Sequence, residues 1–249
     1  LEGVFNPVTI WALHGFLGLP SDFDSVQQSF QNLQPQVNWN SLNYLKRREL
    51  SPENSLEVWG KNLNDFVSKQ NPAEEKRWLV GYSQGGRLAL HALKENPRMW
   101  SGAVLISAGP GLTELEKRER AIQDREWAER FLNDPFEATV TKWNAQSVFQ
   151  GSKNEPRRQE QDFNRRQLAD CLLHWSIAKQ ESLFSFLKNP PGSILYLAGE
   201  NDLKYVQIGQ YLAHQSNRIH FEKVPDAGHR VIVDQPARAA ELIKNYLFP

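Results

Sequence analysis

A serine, a histidine and an aspartate stand where they can do acid–base or nucleophilic chemistry. Ser83 lies in G-Y-S-Q-G (Gly81 to Gly85), between the apolar run RWLVGY and the helical pattern SQGGRLALHAL. A G-x-S-x-G turn between strand and helix holds its serine in a sharp, strained bend and lifts the hydroxyl clear of the sheet edge. The flanking glycines remove steric conflict at that bend. The next backbone N–H, that of Gln84, falls at a helix N-terminus, where it can stabilise a developing oxyanion. His229 follows in PDAGHRVIVDQP, and Asp202 in LAGENDLKY. Singly, each has an ordinary reading: a glycine-rich turn, a helix cap near Tyr205, a loop imidazole bonded to backbone. Jointly, each at the C-terminal end of its own strand, they point to a serine–histidine–aspartate relay.

Two neighbouring features refine that chemistry. LHGFLG (Leu13 to Gly18) follows the first strand pattern and is expected to supply a second oxyanion donor, the N–H of Phe16, with His14 shaping the loop beside the substrate and not serving as base. Arg87 comes four residues after Ser83, one helical turn on and on roughly the same face. An esterase has no need of a fixed planar cation there, whereas a carboxylate-bearing substrate does. The ordinary alternative is a surface arginine paired with a nearby acid. The segment from Thr113 to Lys188 carries Arg118, Arg120, Arg125, Arg130, Arg157, Arg158, Arg165 and Arg166. Most are expected to face solvent, with one or two turned inward over Ser83.

The elements that position these residues alternate. VTIWALH (Val8 to His14), RWLVGY, SGAVLISAG, GSILYLAGE and RIHFEKV read as strands. Ser55 to Lys69, SQGGRLALHAL, YVQIGQYLAHQ and QPARAAELIKNYLF read as helices; in the first, Leu56, Trp59, Leu63 and Phe66 share one side. Strands alternating with helices give a mostly parallel central sheet flanked by crossover helices. Between Thr113 and Lys188 no strand pattern occurs, and a structureless loop of that length is improbable. The segment is therefore expected to be a helical cap (113–188) inserted into a core formed by residues 1–112 and 189–249.

Composition narrows the function classes. The 249 residues carry 29 basic and 29 acidic side chains, so no global pull toward nucleic acid or acidic membrane is indicated. The single cysteine, Cys171, excludes an intrachain disulfide, reads as a small buried hydrophobe, and fits a reducing, cytoplasmic setting. No run approaches a membrane span, and the N-terminus shows no basic region followed by an apolar stretch, so no signal peptide is expected. The acids and histidines lack metal-ligand spacing along the chain. A monomer without metal or cofactor, acting on a small anionic molecule, is the expectation.

The order Ser83, Asp202, His229 is that of α/β-hydrolases. Beyond it, GYSQGGR, SAGPGL (Ser107 to Leu112), EWAERFL, KWNAQSVF (Lys142 to Phe149), LAGENDLKY and DAGH together resemble the MenH family. These are the 2-succinyl-6-hydroxy-2,4-cyclohexadiene-1-carboxylate synthases of menaquinone biosynthesis. The resemblance implies an α/β-hydrolase fold and a lyase that eliminates pyruvate from a substrate with several carboxylates. It implies that Asp202, His229 and Ser83 act as a base system, without a cofactor, and that arginines hold the carboxylates. By motif these are Arg87, Arg120 or Arg118, and Arg165 or Arg166, with Tyr82, Trp143 and Phe149 as pocket walls, although cap-to-core packing explains the aromatics equally well. One departure is NWNSLNYLKRRELSPENS, where related hydrolases show D-x-P-G-H-G-x-S; it brings Lys46, Arg47 and Arg48 toward the site mouth. Two other readings stand beside the lyase: a serine hydrolase of an acidic ester, thioester or carbon–carbon bond, and a non-catalytic binding protein on the same fold.

Overall fold

Near-continuous apolar runs such as Ile10–Leu13 and Leu79–Tyr82 have no polar face to offer water, so they fit only a sheet covered on both sides. The computed structural model describes residues 8–70 and 76–249 and shows that sheet. Six parallel strands run in the order β2-β1-β3-β4-β5-β6: β1 (Val8–Leu13), β2 (Asn38–Leu42), β3 (Lys76–Tyr82), β4 (Gly102–Ile106), β5 (Ser193–Gly199) and β6 (Ile219–Val224). Register is set by pairs such as Leu13 with Gly81, Tyr82 with Ile106 and Gly199 with Val224. The expected leader-free N-terminus concerns residues 1–7, which lie outside the described residues.

On one face pack α2 (Leu56–Gln70), α3 (Gln84–Glu95) and α8 (Leu203–Gln215). Their apolar stripes meet Trp11, Leu79, Leu105 and Tyr196. On the other face lie α1 (Asp24–Leu33), the short α9 (Val231–Asp234) and α10 (Pro236–Leu247), against Ile10, Val80, Val104 and Leu197. The strand readings hold to within a residue or two, except that the last three residues of SGAVLISAG form the turn after β4. β2 and α1 carry too few apolar residues to show a pattern in the sequence.

The segment after β4 is helical as expected: α4 (Glu114–Asn133), α5 (Phe136–Asn144), α6 (Arg165–His174) and the short α7 (Phe184–Leu187). Thr113 starts α4 with a reciprocal cap, its hydroxyl accepting from the Glu116 N–H while the Glu116 carboxylate accepts from the Thr113 N–H. α4, α5 and α6 share an apolar cluster of their own, with Phe131, Trp143 and Leu168 buried among them and Leu17 reaching up from the loop after β1. Cys171, Trp175, Leu183 and Leu187 instead join the core cluster on the α2, α3 and α8 face of the sheet, so the end of this segment is stitched into the sheet's own packing. Cys171 is buried, and burial pushes its thiol well above the ordinary range, which fits the packing role. Among the described residues no helix is long and apolar enough to cross a membrane.

Candidate active site

The bend at Ser83 follows from its neighbours. Ser83 has φ 53° and ψ −113°, a left-handed backbone that a non-glycine residue adopts only when its surroundings over-determine it. They do so here: the Ser83 N–H donates to Ile106 O at 2.8 Å, and the Arg87 N–H to Ser83 O at 3.2 Å. A Cβ on Gly85 would come within 2.0 Å of Leu13 O, and one on Gly81 within 2.5 Å of Gly85 O. The two glycines therefore let α3 approach β1 and β3 closely enough to close the turn.

Asp202 and His229 are brought to this hydroxyl from two other strand ends. Asp202 takes the cap position before α8, yet its side chain makes no bond to that helix. Its Oδ2 accepts from His229 Nδ1 at 2.7 Å, both side chains being nearly inaccessible. A carboxylate only accepts, so the Nδ1 proton is fixed and Nε2 of the neutral ring is left to accept from Ser83 Oγ, 3.0 Å away. Tyr205, Tyr82 and Phe149 stand around the imidazole with ring centroids 4.9, 5.6 and 5.7 Å away. Beside Ser83, the N–H groups of Phe16 and Gln84 have no acceptor among the described residues. Leu17, at φ 55°, turns the loop that presents Phe16.

A cavity of about 490 Å³ opens over these groups, walled by Phe16, Trp143, Phe149, Trp175, Tyr205 and Arg87. Arg87 is 8 % exposed and makes no ion pair with a described carboxylate. It donates to Gln180 Oε1 at 3.2 Å, and Gln180 is oriented by giving its own N–H to Gly109 O at 3.1 Å. Burial, and next the nearby Arg120, pull the guanidinium down to about 10, which leaves it fully charged at neutral pH. Arg120 also lines the cavity; its Nε pairs with Asp124 Oδ1 at 2.7 Å, while the buried Asp124 Oδ2 has no partner among the described residues. A smaller lobe of about 50 Å³ adjoins Ser83 on the other side, bounded by Tyr82, Asn144, Arg158 and Arg230. Arg158 grips Asp22 in a bidentate pair at 2.8 and 2.7 Å, and Arg230 lies over the Phe149 ring at 4.1 Å while donating to Asn144 Oδ1.

Several expected binders are elsewhere. Arg118 is exposed and does not line the cavity. Arg165 donates to the carbonyls of Phe131 and Asp134 and pairs with Glu160, so it caps the C-terminal end of α4, where free carbonyls and the helix dipole favour a cation. Arg166 is 74 % exposed and pairs with Asp170 one turn on. Arg47 packs over Phe66 and does not line the cavity, and neither do Lys46 and Arg48. Alanine at Arg118 or Arg166 is accordingly expected to change kcat/KM by no more than about twofold, by steady-state kinetics, since exposed ion pairs carry ~0–1 kcal/mol.

His14 shapes the loop and does not line the cavity. It is buried, stacked on Tyr44 at 4.2 Å, with Nδ1 against Gly15 O. Burial lowers its pKa from 6.5 to about 4, against the opposing pull of the Gly15 carbonyl. The unfolded chain therefore takes up this proton first as pH falls. Stability present above pH 6.5 should be lost on the way to pH 4 and change no further below it, the full loss being about 3 kcal/mol. Urea unfolding across that window measures it, and His14→Phe should remove this part of the slope.

Gln180, Tyr205, Arg158 and Arg230 were not singled out for this site from the sequence. Tyr205 carried the best signal, lying three residues past Asp202 at the start of a helix. Gln180 carried none.

The alpha/beta hydrolase family matches residues 14–242. Among curated proteins the chain is similar to 2-succinyl-6-hydroxy-2,4-cyclohexadiene-1-carboxylate synthase of Escherichia coli O1:K1, 36% identical over 165 residues, and to the protein of that name from Escherichia fergusonii, 35% identical over 165 residues. Each alignment spans 64% of this chain and 64% of the relative. Among solved structures, MenH from S. aureus superposes with a TM-score of 0.85 at 23% identity, covering 98% of this chain and 95% of that one. A thermophilic esterase from Thermogutta terrifontis, solved with malate bound, gives 0.72 at 17% identity over 97% and 90% of the two chains. At those identities the structures speak for the fold, and with the family match spanning nearly all of the sequence, the chain belongs to the alpha/beta hydrolase family.

Proposed function

We propose that the protein is a carbon–oxygen lyase that eliminates pyruvate from 2-succinyl-5-enolpyruvyl-6-hydroxy-3-cyclohexene-1-carboxylate. The observation that carries this reading is Arg87: a buried cation with no carboxylate partner of its own among the described residues, one turn from Ser83 in the wall of the same cavity. A generic ester has nothing to give it, whereas a substrate carboxylate completes it. The similarity to relatives named as synthases of the product supports the same reading.

The chemistry divides among the residues as follows. The proton to be removed sits on the ring carbon bearing the succinyl group and is acidified by the adjacent ketone. Ser83 Oγ takes it while passing its own proton to His229 Nε2, and the imidazolium that forms is stabilised by Asp202. The electron pair moves onto the ketone oxygen, where the N–H groups of Phe16 and Gln84 stabilise the enolate. Its collapse shifts the ring double bond and breaks the carbon–oxygen bond to enolpyruvate, which leaves as pyruvate after gaining a proton. Arg87, with Arg120 beside it, fixes the carboxylates, and residues 113–188 act as the cap that walls the cavity, with Trp143 and Phe149 as its aromatic lining.

The test is pyruvate release from the enolpyruvyl substrate, measured beside a panel of p-nitrophenyl esters. Fast pyruvate release with slow ester turnover is expected. The reverse would reject the lyase in favour of a hydrolase of small acidic esters. Tight ligand binding without turnover of either would mean a binding protein.

A further inference from the structure

One helical turn beyond Arg87, α3 carries a second histidine whose state is costly. His91 is completely buried, and neither Nδ1 nor Nε2 has a hydrogen-bond partner among the described residues. Leaving such a group unsatisfied is costly, so a buried imidazole without partners calls for one. What surrounds it is acidic. Glu57 from α2 and Glu181 from the stretch between α6 and α7 converge on the ring, one donor atom from each of the three residues lying within 4.8 Å of the others. Lys94 engages Glu181 Oε1, which leaves the second carboxylate oxygen.

We propose that Glu57, His91 and Glu181 form a binding site for a divalent transition-metal ion of the Zn²⁺ class. One imidazole and two carboxylates suit such an ion; Mg²⁺ and Ca²⁺ favour all-oxygen shells. A cavity of about 450 Å³, bounded by Glu57, Ser55 and Lys179, lies on the Glu57 side of the cluster. Bonds of roughly 2.0–2.2 Å require the donor atoms to draw closer than they stand. The two glutamates, both partly exposed, can do so by rotamer changes around a fixed imidazole. Spacing along the chain gives no hint of this site, because its donors come from three separated elements. It is also distinct from the cavity at Ser83, although Glu181 follows Gln180, the residue that holds Arg87. A bound ion would thus pin the segment that orients the buried arginine.

Chelator-treated protein titrated with Zn²⁺ by calorimetry should bind one equivalent with a micromolar or tighter Kd. Co²⁺ should give a d–d absorption band on binding at the same stoichiometry. His91→Gln should abolish both signals. Glu181→Gln, at a partly exposed position that packing does not depend on, should weaken binding at least tenfold while leaving thermal unfolding without metal unchanged. Zn²⁺ should raise the Tm of the native protein and not that of His91→Gln. No stoichiometric binding of either ion, or an affinity unchanged in Glu181→Gln, overturns the assignment.

Discussion

Ser83→Ala is expected to lower kcat/KM for pyruvate release by ~10³–10⁴-fold, the size of a lost general base, with KM little changed. That corresponds to roughly 4–5.5 kcal/mol of transition-state stabilisation. The geometry gives the reason. In the proposed mechanism His229 takes up the substrate proton by way of Ser83 Oγ, 3.0 Å from Nε2, and its other nitrogen is committed to Asp202 at 2.7 Å. Remove the hydroxyl and the imidazole has nothing through which to take the proton, while the donors at Phe16 and Gln84 and the arginines stay in place, so binding survives. The loss by itself does not separate elimination from hydrolysis. Intact-mass spectrometry of the unmodified enzyme during turnover does: a serine nucleophile leaves an acyl adduct on Ser83, and a serine base leaves none. Retention of more than a tenth of the native rate in Ser83→Ala would remove the serine from the mechanism.

The parts of this site that were legible in the sequence are those whose geometry is dictated by a few adjacent residues. A strand, two glycines and a helix fix Ser83, Gln84 and Arg87 relative to one another whatever the rest of the chain does. Asp202 and His229 were legible because a parallel sheet brings the C-terminal ends of all its strands to one edge, so loops far apart in sequence share one space. What stayed hidden was set by docking across the molecule. Gln180 meets Arg87 across 93 residues, and Arg158 meets Asp22 across 136. No local pattern marks either pairing, since both depend on how the inserted helices settle over the sheet.

The misplaced arginines have the same cause. α4 buries Asp124, Ala128 and Phe131 on its inner side, so a charged residue occupies a position where periodicity looks for an apolar one, and the helix gives a poor reading of its own inward face. Arg165 was expected at the substrate and instead closes the end of α4, a use of arginine that composition does not distinguish from ligand binding. β2 escaped notice because it is an edge strand, NWNSL, with Trp39 and Leu42 buried and polar residues between. In α1 only Val26 and Phe30 are fully buried, one turn apart in a largely polar stretch whose one other apolar residue, Leu33, is exposed. Edges and outer helices need few apolar residues to be held, and so they write little into the sequence.

Arg87→Ala is expected to reduce kcat/KM for the anionic substrate by ~30- to 10³-fold, or about 2–4 kcal/mol, because a desolvated carboxylate loses a matched donor fork. The same variant should hydrolyse a neutral p-nitrophenyl ester within about threefold of the native rate, since Ser83, His229 and Asp202 are untouched. Arg87→Lys should fall between, keeping the charge but not the planar pair of N–H groups. Stability gives an independent reading. A buried guanidinium that, among the described residues, lacks a carboxylate partner and holds only Gln180 carries a desolvation cost that the folded state alone does not repay. Truncating it should therefore leave Tm unchanged or raised, despite the space it vacates, whereas truncating a structural ion-pair partner lowers Tm. Lost activity toward the anion together with retained stability is the signature of a residue kept for its ligand. An Arg87→Ala enzyme with native kcat/KM toward the anion and a lowered Tm would make this arginine a packing element, and the carboxylate-binding basis of the lyase reading would fall with it.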